Sequence, residues 1–414
     1  AVAPAPAAPR PTLRLVPRHK KEKGGDARVA RRGPWVFRNE ADNMPELAAS
    51  DATAALVNVA SSDGRELGSA ACTLRKGVNI LARMLTDNIF TPIDRDFFVQ
   101  RLRRAAEHRA LFLPGSRHHR LLNAEGDNVP GVLCDQYGGD LCLQFTSAAM
   151  EALFQDVIVE ALQEVLAPAS VVVRTDEGHD RALELAPLAP PRLLAGDYSG
   201  PTALPEEHGL SFGVDLLGEG WSSGRFFEDR PLRAVLARRL QERTAPRVLS
   251  LFSDSLGPLS AALGAEVVQG LDTASAGLAR QRLEALGFAD RLRFVSLEAS
   301  TARLPEGNEG FDFVTLEPPP LAPTYGQLEE GMRLYTAWVA AAAKGLNPAG
   351  ELLVACRSRT ISTVLFLRCV NLGLWSVGRR AQLLYRTATG PVDFPTHMAV
   401  PDAGQVKVVL VRVH

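Results

Sequence analysis

The chain has 414 residues and a formal net charge of −1, long enough for two or three domains that each bury a core and too neutral overall for a polybasic nucleic-acid binder. No apolar run approaches the ~20 residues of a membrane span, so neither a spanning helix nor a membrane partner is expected. The five cysteines, odd in number and without a CxxC pair, give neither a disulfide framework nor a zinc knuckle, which leaves a reducing compartment and no metal.

Positive charge is concentrated locally. Ten of the first forty residues are Lys or Arg and three are acidic. Residues 1–27 have the composition of a disordered basic tail. Their Ala/Pro/Arg content, with no acid before Glu22, is also that of an organellar transit flank, so a mitochondrial location is expected, with the cytoplasm as alternative. Residues 28–92 contain short alternating runs separated by Gly and Asp turns, the pattern of a small β-rich module. Residues 93–200 read as an α+β unit and linker. An Arg-rich helix runs from Asp94 to Leu111, two strands flank a Gly-Gly-Asp turn, and an amphipathic helix precedes the strand SVVVRT. The Arg101 to Arg120 stretch carries six Arg and three His against Glu107, which suits a phosphate-rich partner as well as a solvated helix face. The segment PLAPPRLLAGDYSGP reads as a linker.

Residues 201–414 alternate strand and helix. Strands are expected at RVLSLFS, EVVQGLD, LRFVSL, FDFVTLE and GELLVAC, with helices near 259–263, 274–286, 328–346 and 361–372 and two late strands near 381–386 and 406–413. This pattern predicts a doubly wound, mainly parallel sheet, whose ligands sit beyond the carboxyl ends of the strands. Asp272 closes the second strand, where one carboxylate accepts from both hydroxyls of a ribose; it also suits the N-cap of the next helix. The fourth strand ends in LEPPP, and acid-Pro-Pro at a strand end points to methyl transfer to a base, with Glu317 and the adjacent carbonyl holding an exocyclic group.

From about Arg31 onward the chain resembles the bacterial ribosomal RNA cytosine-5 methyltransferases, which have an N-terminal PUA domain, an α+β middle domain and a C-terminal Rossmann-like class I S-adenosylmethionine domain. The resemblance is carried by RRGPWVF, RLLNAEGDNVPGVLCDQYG, EEHGLSFGVDL and SSGRFFEDR, in order and at fitting spacing. It implies an α/β fold with a PUA-like module at 28–92, S-adenosylmethionine as cofactor, and ribosomal RNA with ribosomal proteins or assembly factors as partners, not DNA. The cofactor residues it implies are Phe252, Ser253, Gly257, Asp272, Glu298, Glu317 and Arg230. Candidate RNA contacts are Arg31, Arg32, Arg101, Arg103, Arg104, Arg117, Arg120 and Arg357.

The departures from the family pattern concern the chemistry. The family loop Phe-Cys-Tyr-Thr-Gly-Gly-Phe becomes Phe252-Ser253-Asp254-Ser255-Leu256-Gly257-Pro258, which loses one glycine and one backbone donor. In Lys-Thr-Gly-x-x-x-Asp-Gln-Arg, Gly224 and Arg230 remain, while Ser222 stands at the lysine and Glu228 at the aspartate. Glu317 replaces Asp before the double proline. The family adds a Cys thiolate to cytosine C6, but the ungapped alignment puts Arg357 at that Cys and Cys356 one residue earlier, on the opposite face of an extended segment. Cys356 therefore reads as a buried core thiol before it reads as a nucleophile, unless a bulge restores the register, and with Glu317 it is the candidate catalytic group of a site in which S-adenosylmethionine binding is weakened or lost. The expectation is an RNA-binding ribosome assembly or ribosome-associated factor with an eroded site. The alternatives are an active cytosine-5 methyltransferase with drifted motifs, and a dinucleotide enzyme using Asp272, disfavoured by the absence of GxGxxG.

Overall fold

The structure, a computed structural model, describes residues 10–16, 29, 33–43, 52–175, 188–218, 225–253, 255–273, 277, 280, 287–288, 290–305, 307, 309–387, 392–400 and 406–414. Arg31, Arg32, Ser222, Gly224, Asp254 and nearly all of the helix expected at 274–286 lie outside them. The described residues form two compact units, one from 1–200, 215–219 and 392–401, the other from 201–214, 220–391 and 402–414. Among them no helix is long and apolar enough to cross a membrane.

The first unit contains two five-stranded sheets. Strands β1 (Thr12–Arg14), β2 (Trp35–Phe37), β3 (Ala54–Ala60), β4 (Glu66–Thr73) and β5 (Ile80–Thr86) take the order β1-β3-β4-β5-β2. Strand β1 lies inside the stretch expected to be a disordered tail. It is ordered because Leu13 and Leu15, 0% and 1% exposed, alternate into the sheet's core while β1 pairs in parallel with β3. Two leucines among Pro and Arg are too short a pattern to read as a strand.

The second sheet, β10-β9-β8-β7-β6, is built from β6 (His118–Asn123), β7 (Val132–Tyr137), β8 (Asp140–Phe145), β9 (Ser170–Val173) and β10 (Arg192–Gly196). Helices α1 (Arg95–Phe112) and α2 (Ala148–Leu166) share its core through Phe98, Leu102, Met150 and Phe154. Asp94 caps α1 by accepting from the Phe97 N–H, and Ser147 caps α2. Strand β10 corrects the expected linker, since Arg192–Gly196 pairs antiparallel with β9.

The second unit carries β11 (Thr202–Ala203), β12 (Gly213–Val214), α3 (Arg225–Glu228), α4 (Arg230–Gln241), β13 (Arg247–Leu251), α5 (Leu256–Ala262), β14 (Glu266–Asp272), β15 (Leu292–Leu297), β16 (Phe311–Leu316), α6 (Leu328–Gly345), β17 (Leu346–Cys356), α7 (Thr363–Ser376), β18 (Ala381–Thr387) and β19 (Lys407–Val413). Its seven-stranded sheet has the order β15-β14-β13-β16-β17-β19-β18. The first five strands are parallel, and β19 and β18 close the sheet antiparallel. This is the doubly wound, mainly parallel sheet expected from the sequence. The order reverses at β13, so the carboxyl ends of β13, β14, β16 and β17 converge on one edge.

Helices α6 and α7 bury Tyr335, Trp338, Phe366 and Val370 against Leu352, Val354, Val409 and Val411 of the sheet. On β17 the fully buried Glu351 carboxylate accepts from Arg239 at 2.6 and 2.9 Å and from Arg412 at 3.1 Å, with Arg243 at 3.3 Å. Burial alone would raise its pKa, but the Arg239 hydrogen bond and the charges of Arg239 and Arg243 hold it below its ordinary value.

Candidate active site at the carboxyl edge of the parallel sheet

The turn after β13 is built from the chain's own polar groups. Phe252 adopts φ 63° directly after the strand, a region that disfavours a bulky side chain. It is held there by its N–H to the Gly270 carbonyl at 2.9 Å and by an edge-on contact with Trp338, ring centroids 4.9 Å apart. The Phe252 ring is thus a core group, packed where Trp338 in turn donates to the Ala299 carbonyl at 2.8 Å. This corrects its expected cofactor contact. Ser253, buried, accepts from the Leu256 N–H at 3.0 Å through its hydroxyl, which starts α5 three residues before the expected Leu259.

The single glycine of this turn is required by what lies beneath it. A Cβ on Gly257 would stand 1.8 Å from Oε1 and 2.9 Å from Cδ of Gln269. Gln269 is fully buried and donates to the Ser253 carbonyl at 2.8 Å. Gly257 therefore makes room for a structural amide under the loop. Gly257→Ala is expected to cost about 1–3 kcal/mol through overpacking, and most of that cost should disappear in a Gln269→Ala background, because the two side chains compete for one space. Chemical denaturation of the four proteins of this cycle measures it; equal costs in both backgrounds would count against the packing role.

Four charged side chains converge beyond β16 and β17. The Arg357 side chain is 9% exposed, and its Nη1 donates to Glu228 Oε2 at 2.7 Å. Its Nη2 donates to Glu317 Oε2 at 3.2 Å and also to Asp229 Oδ1. The Asp229 and Glu317 side chains are 6% and 3% exposed. Burial alone would lower the Arg357 pKa, but Asp229, then Glu228 and Glu317, outweigh it and hold the guanidinium above its ordinary value.

The expected phosphate or base contact by Arg357 is corrected accordingly: its donors face three carboxylates inside the fold. Asp229 was not singled out in the sequence, yet the same alignment that sets Arg357 at the family's Cys sets Asp229 at its Gln. One substitution adds a positive charge and the other a negative one, and the two side chains touch.

Cys356 points the other way. It is 0% exposed and shares its face of β17 with Leu352 and Val354, in the cluster that holds Tyr335, Ile361 and Phe366. Burial pushes its thiol up from the ordinary value, with the Lys407 charge opposing. A thiol so placed is the core thiol the register predicts and has neither the ionisation nor the access of a nucleophile, which corrects the candidate catalytic role.

The remaining cofactor candidates are spread along the edge. Asp272 ends β14, half-buried. Glu298 is exposed in the turn after β15, where its carboxylate accepts from the Ser300 hydroxyl at 2.8 Å. Arg230 opens α4 half-buried, with its guanidinium 5.6 Å from the Phe227 ring centroid. No group of three or more His, Cys, Asp or Glu suited to a metal ion occurs among the described residues.

The other described candidates for RNA contact, Arg101, Arg103, Arg104, Arg117 and Arg120, belong to the first unit and divide into exposed and structural groups. Arg104 and Arg117 are exposed, and Arg103 pairs with Glu164 at 3.1 Å. Arg101 is spent on the backbone carbonyls of Asn128 and Leu85 at 2.6 and 2.7 Å. Arg120 is 5% exposed and grips both oxygens of Asp135 at 2.6 and 3.1 Å, which corrects its expected role on the surface.

Comparison with known proteins bears on the fold and the family. No family model matches the chain. The ribosomal RNA large subunit methyltransferase I of Vibrio cholerae serotype O1 is 30% identical over 405 residues, 93% of this chain and 96% of that protein. The Shewanella amazonensis protein of the same name is 28% identical over 405 residues, 96% and 99% of the two chains. In structure the chain is similar to a putative SAM-dependent methyltransferase from Streptococcus mutans, with a TM-score of 0.74, 17% identity and coverage of 97% of this chain and 100% of that one. A putative methyltransferase complexed with SAH matches with the same TM-score, identity and coverage. The doubly wound fold, the convergent carboxyl edge and the sequence identity over nearly the whole length place the chain plainly: it belongs to the ribosomal RNA large subunit methyltransferase I family.

Proposed function

We propose that this member of the family binds ribosomal RNA and serves in ribosome assembly or on ribosomal particles without methylating cytosine C5 through a cysteine. The observation that carries this reading is Arg357, which stands at the family's nucleophile position, enclosed by Asp229, Glu228 and Glu317. Thiol addition to C6 needs an accessible thiolate. Cys356 offers a buried thiol on the far face of β17, and Arg357, held protonated, has no lone pair to give.

S-adenosylmethionine is the cofactor this reading assigns to the carboxyl edge, and when bound it supplies an electrophilic methyl group. The residues fit its adenosine half best: Asp272 stands where a ribose diol is held. At the start of α5, Pro258 has no N–H and that of Leu256 is taken by Ser253, so the amino-acid half finds fewer donors. Glu317, the acid of the acid-Pro-Pro motif, neutralises Arg357 instead of standing free for a base. The PUA-like assignment of the first sheet and the exposed Arg104 and Arg117 belong to the same reading, since RNA can be gripped by shape and phosphate without chemistry.

The test is incubation of the full chain with radiolabelled S-adenosylmethionine and deproteinised large-subunit rRNA, followed by bisulfite sequencing. The expected result is RNA binding without incorporated 5-methylcytosine. A cytosine methylated by the wild type and left unmethylated by Cys356→Ala would overturn the proposal.

A further inference from the structure

Between Glu351 and Asp393 the sequence contains no Asp or Glu and six Arg. The structure gathers much of this stretch on one face of the second unit, in α7 and in β18 at the open end of the sheet. Two of the arginines are committed internally. Arg357 lies in the carboxylate cluster, and Arg379 donates to the Leu346 and Asn347 carbonyls, both at 3.1 Å. Arg368, Arg380 and Arg386 are exposed.

Between these charges lie large apolar side chains facing water. On α7, Val364 is 75%, Leu372 39% and Trp375 76% exposed, and on β18 Leu383 is 53% and Leu384 43% exposed. The spacing of Val364, Arg368, Leu372 and Trp375 sets them along the outer stripe of one helix. The opposite stripe, with Phe366, Cys369, Val370 and Leu374, is the one buried on the sheet. Leu383 pairs in register with Val411, which packs in the core that α7 covers, so Leu383 emerges on the same side of the sheet as α7. Strand β18 is the edge of the sheet and Ala381 to Leu384 are all exposed, so two successive leucines reach solvent just where the register slips between Leu383 and Tyr385. The short 377–380 connection keeps Trp375 near the start of β18, as the Arg379 N–H to Leu374 carbonyl bond at 3.0 Å records.

An exposed indole, neighbouring apolar groups and arginines without intervening acids make a surface that stacks flat, unpaired bases and tracks a backbone of negative charge. A protein partner would meet the apolar part equally well, but the absence of any acid between residues 351 and 393 favours a polyanion. We infer that the α7–β18 face is a binding site for single-stranded RNA, with Trp375 stacking on a base and Arg368, Arg380 and Arg386 on phosphates. The inference rests on the RNA-binding reading above and concerns a face outside the carboxyl edge and outside the first unit.

The test uses the full chain and two fluorescein-labelled probes, a twelve-nucleotide single strand of adenylates and a twelve-base-pair RNA duplex, followed by anisotropy across a salt series. Deproteinised rRNA is the reference. Trp375→Ala should weaken single-strand binding about 5- to 100-fold, the range of one lost base stack, with the salt slope unchanged. Arg368→Gln and Arg386→Gln should each lower the log–log salt slope by about 0.7. All three positions are exposed, and circular dichroism confirms that the variants fold.

Wild-type affinity in Trp375→Ala together with unchanged slopes in the arginine variants would overturn the site while leaving the RNA-binding reading intact, provided the wild type binds rRNA. A wild type that binds neither rRNA nor the single strand would overturn both. If Trp375→Ala instead dissolves a dimer in sedimentation velocity and leaves RNA affinity unchanged, the face is a protein interface and the inference fails.

Discussion

Arg357→Ala is expected to cost about 3–5 kcal/mol of folding stability, the loss seen when one member of a buried ion cluster is removed. Three carboxylates face this guanidinium, and the Asp229 and Glu317 side chains are almost wholly out of water. Without Arg357 they must either stay ionised with the cluster's central positive charge gone or take up protons at neutral pH, and both alternatives are unfavourable. Chemical denaturation of the full chain should show the midpoint falling sharply with little change in slope.

Restoring the family's thiol in Arg357→Cys should be as destabilising as alanine and yield no methylation, because it removes the cation and leaves Asp229 and Glu228 behind. The double variant Arg357→Cys/Asp229→Gln should recover part of the loss, since the two substitutions compensate each other in charge. An Arg357→Ala protein that unfolds at the wild-type denaturant concentration would show that the cluster is not a structural replacement for the nucleophile.

The sequence made the second unit legible because buried parallel strands are nearly continuous apolar runs. EVVQGLD and LRFVSL coincide with β14 and β15, and the last two strands fall where expected. What escaped was local and depended on partners distant in sequence. Leu13 and Leu15 form a strand only because β3 offers an edge to them, and LLAG becomes β10 only because β9 does.

The site was legible as a set of departures but not as a cluster. Arg357 and Asp229 are 128 residues apart, and only the fold shows that they meet. Gly257 illustrates the opposite difficulty. A glycine after the first strand signals a close approach, but the sequence does not say from which side, and the approaching group is Gln269 from below. Arginine counts also mislead when burial is unknown, for the basic Arg101 to Arg120 stretch holds both exposed charges and members of the core.

That last point leads to the other large effect expected. Arg120→Ala should lower the stability of the first unit by about 3–5 kcal/mol, whereas Arg104→Ala and Arg117→Ala should stay within about 0.5 kcal/mol of the wild type. Arg120 holds both oxygens of Asp135, donates to Asn123 Oδ1 at 3.0 Å and lies 4.6 Å from the Phe394 ring centroid. Burial pushes the Asp135 carboxyl up, and Arg120 is the main group opposing it, so its removal leaves a buried acid that must protonate or remain unpaired.

The segment around Phe394 meets the Arg120 side chain through the Phe394 ring, and its other anchors persist in Arg120→Ala. Asp393 Oδ2 accepts from the backbone N–H of Arg120 at 3.0 Å, the Asp393 carbonyl accepts from the Arg109 guanidinium at 2.8 Å, and the Pro395 carbonyl sits where a Cβ on Gly126 would be 1.9 Å away. Arg120→Lys should not rescue, because an ammonium cannot span both Asp135 oxygens and stack on the ring as a planar guanidinium does. Denaturation followed in parallel with RNA binding at several salt concentrations separates the roles. Loss of Arg104 or Arg117 should flatten the salt slope by about 0.7–0.9 for each phosphate contact removed, with stability unchanged. If Arg120→Ala instead folded as stably as the wild type and lost RNA affinity, the residue would be a surface contact and the Asp135 pair incidental.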